Sequence, residues 1–146
     1  MISENELGNM ELQYIEFTLA NQKFCLPIDD VEEILRKQAV LPIPKAHPFL
    51  LGVTSIRGEV YPVIDAAKLF GQEGKDSEEK RFILLSKTYG NMVLSVDQVQ
   101  QIFTAGEKED VEDKPYISTG IKSGEELYYL LDVQGLYEEL KKASME

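Results

Sequence analysis

An internal repeat constrains the fold of this chain more than any other feature of its sequence. Residues 24–35, FCLPIDDVEEIL, align without a gap with residues 92–103, MVLSVDQVQQIF, at an offset of 68 positions. A second match pairs residues 60–70, VYPVIDAAKLF, with residues 127–137, LYYLLDVQGLY, at an offset of 67. Two matches in the same order and at nearly equal offsets predict a chain built twice from one unit. The alternative is that an aspartate after an apolar strand merely recurs as a helix cap.

Short apolar runs separated by turn residues predict about nine or ten strands. The predicted strands span residues 14–19, 23–27, 53–57, 60–64, 81–86, 91–96, 99–104, 116–122 and 127–131. Short helices are predicted at residues 31–36 after Asp29 or Asp30, at residues 48–52, at residues 66–70 after Asp65, and at residues 133–142. Short strands in this number, with few long helices, are typical of barrels or a sandwich.

The length of the repeated unit narrows the fold class. A unit of about 65 residues made of strands has the size of a small five-stranded barrel. Two such barrels packed together would share a core and leave a groove between them. We therefore predict a mainly β chain of two small β-barrel lobes with short helices and a C-terminal helix. Residues 12–142 form a single domain in this prediction, and residues 1–11 and 143–146 are flexible tails.

The charge of the chain limits its partners. The formal net charge is −11, from 15 basic and 26 acidic residues. Nucleic acids and anionic membranes bind clustered Lys and Arg, so neither is an expected partner. The acidic segments 76–79 and 107–113 lie between apolar runs and are predicted to be solvated loops. No apolar run approaches the ~20 residues that cross a bilayer, and the polar residues 1–10 do not resemble a signal peptide, so we expect a cytoplasmic protein.

Residues that could support catalysis are few. Cys25 is the single cysteine and is predicted to be a buried structural thiol, while His47 is the single histidine. Neither a zinc site nor a Cys–His or Ser–His pair can be built from them, and we expect no metal and no cofactor. Carboxylates stand where helix caps belong, at Asp29, Asp65, Asp97 and Asp132. A small carboxylate-dependent hydrolase stays open, but the sequence favours binding over catalysis and predicts no catalytic residue.

The segment GVTSIRGEVYPVID, residues 52–65, resembles the signature of the CheW-type chemotaxis coupling proteins. In that signature a Gly-Val strand enters an Asn-Leu-Arg-Gly turn and leaves through an apolar Pro-Val-Ile-Asp strand. Arg57, Gly58, Pro62, Val63 and Asp65 match it, whereas Ser55 stands where the family usually has Asn. The resemblance extends over residues 12–140.

The resemblance implies two SH3-like lobes in a non-enzymatic adaptor. Such an adaptor couples the cytoplasmic hairpin of methyl-accepting chemoreceptors to the regulatory domain of a CheA-type histidine kinase, and is recruited from the cytoplasm to membrane-bound receptor arrays. The groove between the lobes would grip the receptor hairpin, and other faces would dock the kinase. The residues implied for partner binding are Val31, Glu33, Ile34 and Arg57, with Ser55, Gly58 and Asp65 as turn and structural support.

Each of these residues also has a simpler interpretation, and the function has rivals. Arg57 could be an ordinary exposed turn residue, Val31 and Ile34 could belong to the core, and Glu33 could be solvated. A regulatory scaffold of the same fold for a non-chemotactic sensory kinase is the nearest alternative function.

Overall fold

The computed structural model describes residues 11–44, 47–73 and 77–144 and is built almost entirely from β-strands. It has a single α-helix, α1 (Val133–Ser144), within those residues. The strands are β1 (Leu12–Leu19), β2 (Gln22–Pro27), β3 (Val31–Arg36), β4 (Leu50–Ile56), β5 (Glu59–Asp65), β6 (Arg81–Leu85), β7 (Val93–Val96), β8 (Gln98–Ala105), β9 (Glu107–Glu109), β10 (Ile117–Ser123) and β11 (Glu126–Leu131). The tail predicted for residues 1–11 lies outside the described residues except for Glu11, and of the tail predicted for residues 143–146 the first two belong to α1.

The strands form two sheets, and each sheet takes strands from both halves of the chain. The first sheet has the order β8-β1-β2-β11-β10-β9, and the second has the order β3-β6-β7-β5-β4. The chain passes from the first sheet to the second at the 3₁₀ turn Ile28–Asp30, and returns at Asp97. This exchange of strands interlocks the two halves. The prediction of a mainly β, two-lobed fold with a C-terminal helix is confirmed.

The sequence repeat is also a repeat in hydrogen-bond register. Ile15 pairs with Leu26 between β1 and β2, and the residues 68 positions later, Ile83 and Leu94, pair between β6 and β7. The pairing of β3 with β6 skips one residue between Val31 and Glu33, and the pairing of β8 with β1 skips the equivalent residue, Gln100. Since a slip of one residue would turn every side chain to the opposite face, the two halves share one buried pattern.

Alternation along the strands divides the buried side chains among three clusters. A shared cluster lies between the sheets, and each lobe has a smaller cluster of its own. On β2, Phe24 and Leu26 face the shared cluster, whereas Cys25 between them faces the interior of the first lobe. Burial raises the pKa of the Cys25 thiol to about 12, so the prediction of a buried structural thiol is confirmed.

Two predicted helices are wrong. Residues 31–36 form the strand β3 rather than a helix. The aspartates that precede them lie within the 3₁₀ turn Ile28–Asp30 and therefore do not cap a helix at Val31. Residues 48–52 do not form a helical turn, since a turn at Pro48 and Phe49 leads directly into β4. Gly52 therefore does not end a helix. It allows close approach, because a Cβ atom there would lie 2.1 Å from the carbonyl oxygen of Leu41.

The aspartate caps are only partly as predicted. The 3₁₀ helix Ala66–Phe70 ends at Gly71 in the left-handed conformation, as expected, but the Asp65 side chain makes no capping hydrogen bond. Asp132 does cap α1, since its Oδ1 accepts a hydrogen bond from the Gly135 N–H at 3.0 Å. Asp97 instead accepts a hydrogen bond from the Ala20 N–H at 2.8 Å and fixes the β1–β2 turn.

The acidic segments also differ in part from the prediction. Within residues 107–113, the stretch Glu107–Glu109 forms the strand β9 rather than a loop. Of residues 76–79, the first lies outside the described residues and the others form no helix or strand. In the part of the chain that the structure describes, no helix is long and apolar enough to span a membrane.

Candidate functional site

Glu33 and Arg57 form a forked ion pair on the second lobe. Arg57 Nη1 donates a hydrogen bond to Glu33 Oε1 at 3.1 Å, and Nη2 bonds Oε2. Glu33 lies on β3 and Arg57 on the β4–β5 turn, so the pair joins the two edges of the second sheet. A two-pronged guanidinium–carboxylate bond fixes the orientation of both side chains.

Backbone contacts beside the ion pair join the same two edges. After β3 the chain folds back onto β4, where Leu41 and Val53 exchange two backbone hydrogen bonds of 2.8 and 2.9 Å. The Thr54 hydroxyl, which is buried, donates to the carbonyl oxygen of Ala39 at 2.8 Å. The ion pair therefore stands on a braced part of the lobe rather than on a free loop.

The backbone at Arg57 is unusual for a residue with a side chain. Its φ is 50°, followed by 82° at Gly58, so both central residues of the two-residue turn are left-handed, as tight hairpins require. The equivalent position of the β10–β11 turn is Gly124, with φ of 61°. Arg57 thus stands where the repeat has glycine. A non-glycine residue in this conformation is disfavoured and is a reason to look for a role of its side chain.

The two charges alter each other's ionisation. The hydrogen bond from Arg57 lowers the pKa of Glu33, and the bond to Glu33 raises the pKa of Arg57. The side chains stay 34% and 67% exposed respectively, so the guanidinium can also contact a partner. Nearby, the Tyr61 hydroxyl donates to Glu59 Oε2 at 2.5 Å, which raises the pKa of Tyr61.

Val31 and Ile34 differ in their surroundings. Val31 is half-buried and packs against the shared cluster, as does its repeat counterpart Val99 at the start of β8. Ile34 is 38% exposed, although it pairs with the fully buried Ile83. Val31 therefore belongs partly to the core, while Ile34 offers apolar surface on the same strand as Glu33.

The three residues predicted to support the turn play different parts. Ser55 is exposed on β4 and pairs with Val60. Gly58 has open space around its Cα, so its conformation rather than close packing requires glycine. Asp65 is buried, its N–H donates to the carbonyl oxygen of Phe49 at 2.9 Å, and its Oδ1 has no hydrogen-bond partner among the described residues.

Exposed apolar side chains around this lobe were missed by the sequence reasoning. Val60 is 65% exposed beside the Arg57 turn, and Leu41 is 70% exposed where it pairs with β4. The repeat carried a signal for one of them, because Val60 and its counterpart Leu127 are both apolar and both exposed. Ile34 and Ile102 form a second such pair. The two halves therefore expose apolar side chains at two equivalent positions.

The described residues contain one thiol, Cys25, and one imidazole, His47. They include no group of three or more His, Cys, Asp or Glu side chains that could hold a metal ion. His47 Nδ1 accepts a hydrogen bond from the Phe49 N–H at 3.3 Å, and the single thiol is buried. A two-lobed β structure with a braced charged turn and exposed apolar neighbours defines a protein-binding module.

Comparison with known proteins agrees with this class. The family model described as a CheW-like domain matches residues 13–141. The chemotaxis protein CheW of Rhizobium meliloti is 30% identical over 114 residues, 77% of this chain and 73% of that protein. The chemotaxis protein CheW of Thermotoga maritima is 26% identical over 136 residues, 89% of this chain and 90% of that protein.

A solved structure shows the same fold. The scaffolding protein TtCheW of Thermoanaerobacter tengcongensis has a TM-score of 0.74 and 24% identity, covering 84% of this chain and 89% of its own. The chain belongs to the CheW-like family, and the prediction of a chemotaxis coupling adaptor is confirmed at the level of the family.

Proposed function

We propose that this protein is a non-enzymatic adaptor that couples the cytoplasmic hairpin of chemoreceptors to the regulatory domain of a CheA-type histidine kinase. Membership of the CheW-like family supports this function. The protein would act in the cytoplasm, at membrane-bound receptor arrays, and would change kinase activity by placing the kinase relative to the receptor. No catalytic step is part of the proposal.

The forked Glu33–Arg57 pair is the observation that carries the proposal. A guanidinium has five N–H donors, of which Glu33 takes two, so donors are left for a carboxylate or for carbonyl oxygens at a helix end. Because Glu33 fixes the direction of the guanidinium, little side-chain freedom is lost on binding. Arg57 is thus a preorganised polar contact.

The apolar part of the proposed receptor surface comes from β3. Val31 and Ile34 lie on the same strand as Glu33 and offer half-buried and exposed apolar surface. An amphipathic helix that binds a groove usually places apolar anchors at its centre and polar contacts around them. Val31 and Ile34 would be the apolar anchors on one face of β3, and Glu33 with Arg57 would be polar contacts on the other face, so a partner would reach both at this edge of the second sheet.

The experiment is a pull-down with a receptor signalling fragment and the kinase. Recovery of all three proteins in one complex is the expected result. Retention of the kinase without the receptor favours the regulatory scaffold of a non-chemotactic kinase, and retention of neither contradicts the adaptor.

Arg57→Glu tests the site itself. We expect receptor binding to fall while far-UV CD and Tm stay near those of the unchanged protein, since the side chain is exposed. Lys108→Glu, at an exposed position of β9 in the first sheet, is the matched control. Unchanged receptor binding in Arg57→Glu removes Arg57 from the site, and a large drop in Tm assigns it a structural role.

A further inference from the structure

A concave site lies between the 3₁₀ helix Ala66–Phe70 and the first sheet. Its volume is about 370 Å³, within the range of about 300–1,000 Å³ typical of ligand pockets. Phe24 forms its floor, with ring centroids 4.9 Å from Phe70 and 5.7 Å from Tyr129. Lys114 stands at its rim, with Nζ 5.4 Å from the centre of the Tyr129 ring. None of the residues proposed for receptor binding lines it.

In the second half of the chain, the helix α1 occupies the position that corresponds to the 3₁₀ helix beside this pocket. There α1 continues for twelve residues, whereas the 3₁₀ helix Ala66–Phe70 has five and stops at Gly71. Tyr137 and Leu140 of α1 both pack against the shared cluster. Tyr137 has a counterpart in Phe70, but the counterpart of Leu140, 67 positions earlier, is Glu73, which is exposed. The first half therefore lacks the apolar side chain that packs here in the second.

We propose that this pocket, called here the Phe24 pocket and lined by Phe24, Phe70, Lys114, Ile117 and Tyr129, docks an amphipathic helix of a partner protein. One branched apolar side chain of that helix would enter the pocket where Leu140 packs in the other half. An acidic side chain one or two positions away would reach Lys114.

The charge pattern agrees with such an occupant. The chain has a net charge of −11, yet the rim of the Phe24 pocket carries a lysine. In the other half, α1 itself has this character, because Glu138 and Glu139 lie between Tyr137 and Leu140. Glu139 accepts a hydrogen bond from the Tyr116 hydroxyl at 2.6 Å, so an acidic residue of α1 does bond a polar side chain of the surface beside it.

A peptide with the sequence of residues 132–144 is the probe. It is titrated into the ¹⁵N-labelled full-length protein, and amide shifts are followed by NMR. We expect saturable shifts at Phe70, Lys114 and Tyr129. A peptide with aspartate in place of leucine at position 140 is the matched control and should cause none.

Two variants of the protein test the contacts. Lys114→Glu should weaken peptide binding about five-fold, since an exposed ion pair becomes a repulsive one. Lys122→Glu, an exposed lysine of β10 outside the pocket, should leave binding unchanged. Glu73→Leu should abolish binding and raise Tm, because it would place an apolar side chain at the position equivalent to Leu140, which packs against the shared cluster.

Three results would overturn the proposal. The first is the absence of saturable shifts. The second is shifts confined to Tyr89 and Gly90, where α1 packs, since they would mean that the peptide displaces the protein's own helix. The third is dimerisation of the full-length protein that is lost in Lys114→Glu, which would make a second copy the occupant. The pull-down that tests the receptor complex uses neither this peptide nor this pocket, so the two proposals fail independently.

Discussion

Phe49 and Tyr116 occupy equivalent positions in the two halves of the chain, 67 residues apart, and their rings pack edge to face with centroids 5.7 Å apart. Their carbonyl oxygens have equivalent roles, since that of Phe49 accepts the Asp65 N–H and that of Tyr116 accepts the Asp132 N–H. The two halves therefore meet through the same residue position on each side. An approximate two-fold relation between the lobes follows from this contact and from the matching strand registers.

The ring contact predicts energetic coupling between the halves. Phe49→Leu and Tyr116→Leu should each destabilise the protein, and the double variant should be less destabilised than the sum of the two by about 0.5–1.5 kcal/mol. Urea unfolding of the four proteins measures this coupling. Additive effects would mean that the rings are neighbours without mutual stabilisation.

Tyrosine ionisation gives a prediction about alkaline pH. Burial is the largest cause that raises the pKa of Tyr116 and of Tyr128 to about 12, followed by hydrogen bonds to Glu139 and Glu16 respectively. Between the ordinary pKa of 10.0 and about 12 the unfolded chain loses these protons while the folded protein keeps them, so stability falls as pH rises through that interval.

Absorbance at 295 nm checks this prediction. Tyr116 and Tyr128 should titrate near pH 12 in the folded protein, and the phenylalanine variant of each should remove one tyrosine from the titration in that range. A free energy of unfolding that stays constant from about pH 10 to pH 12 would contradict it.

Arg57 is expected to trade stability for binding. Arg57→Gly should raise Tm by about 3 °C, because glycine adopts the φ of 50° without strain, and should weaken receptor binding. Scanning calorimetry and a receptor pull-down measure the two effects. A lower Tm would show that the Glu33 ion pair outweighs the backbone strain.

Exchanging the charges of Glu33 and Arg57 distinguishes the effect of their salt bridge on stability from the contact of Arg57 with the receptor. The double variant Glu33→Arg, Arg57→Glu restores a salt bridge across the two edges but places the cation on β3. We expect Tm to stay near that of the unchanged protein while receptor binding stays weak. Full receptor binding in the double variant would mean that the receptor requires only the salt bridge between the two edges of the sheet, and not a direct contact with Arg57.

Substitutions at Glu16 and Leu84 compare the interiors of the two lobes. They are repeat counterparts, both buried, but the Glu16 carboxylate accepts hydrogen bonds from the Tyr128 hydroxyl at 3.1 Å and the Gln101 amide at 3.0 Å. Glu16→Leu should cost about 1–2 kcal/mol, since these donors lose their acceptor. Leu84→Glu should cost more than about 3 kcal/mol, because it places a carboxylate in an apolar cluster. Urea unfolding that finds the two costs equal would contradict this asymmetry.

The two lobes, their shared core and the short helix that ends at Gly71 could be predicted from the sequence. The alternation of apolar and polar residues along the strands and the internal repeat are both visible in this one chain. It misled at residues 31–36, where VEEILR has apolar residues at helical spacing. The repeat predicts a strand instead, since the counterpart stretch after Asp97 has the pattern of a strand, and the structure agrees with the repeat.

The contacts of the candidate site could not be predicted from sequence alone. Glu33 and Arg57 lie 24 positions apart, and only the return of the chain after β3 to pair with β4 brings them together. The positive φ of Arg57 was similarly hidden, because an Arg-Gly turn suggests that only the glycine is left-handed. Tertiary pairing decides both features.

Simultaneous binding is the most direct test of the adaptor proposal. Isothermal titration of the kinase regulatory domain into the protein is compared with the same titration into protein saturated with a receptor signalling fragment. An adaptor predicts equal or tighter kinase binding in the saturated protein, with a stoichiometry of one. Loss of kinase binding upon receptor saturation, with the receptor fragment and kinase domain competing for one surface, would contradict it.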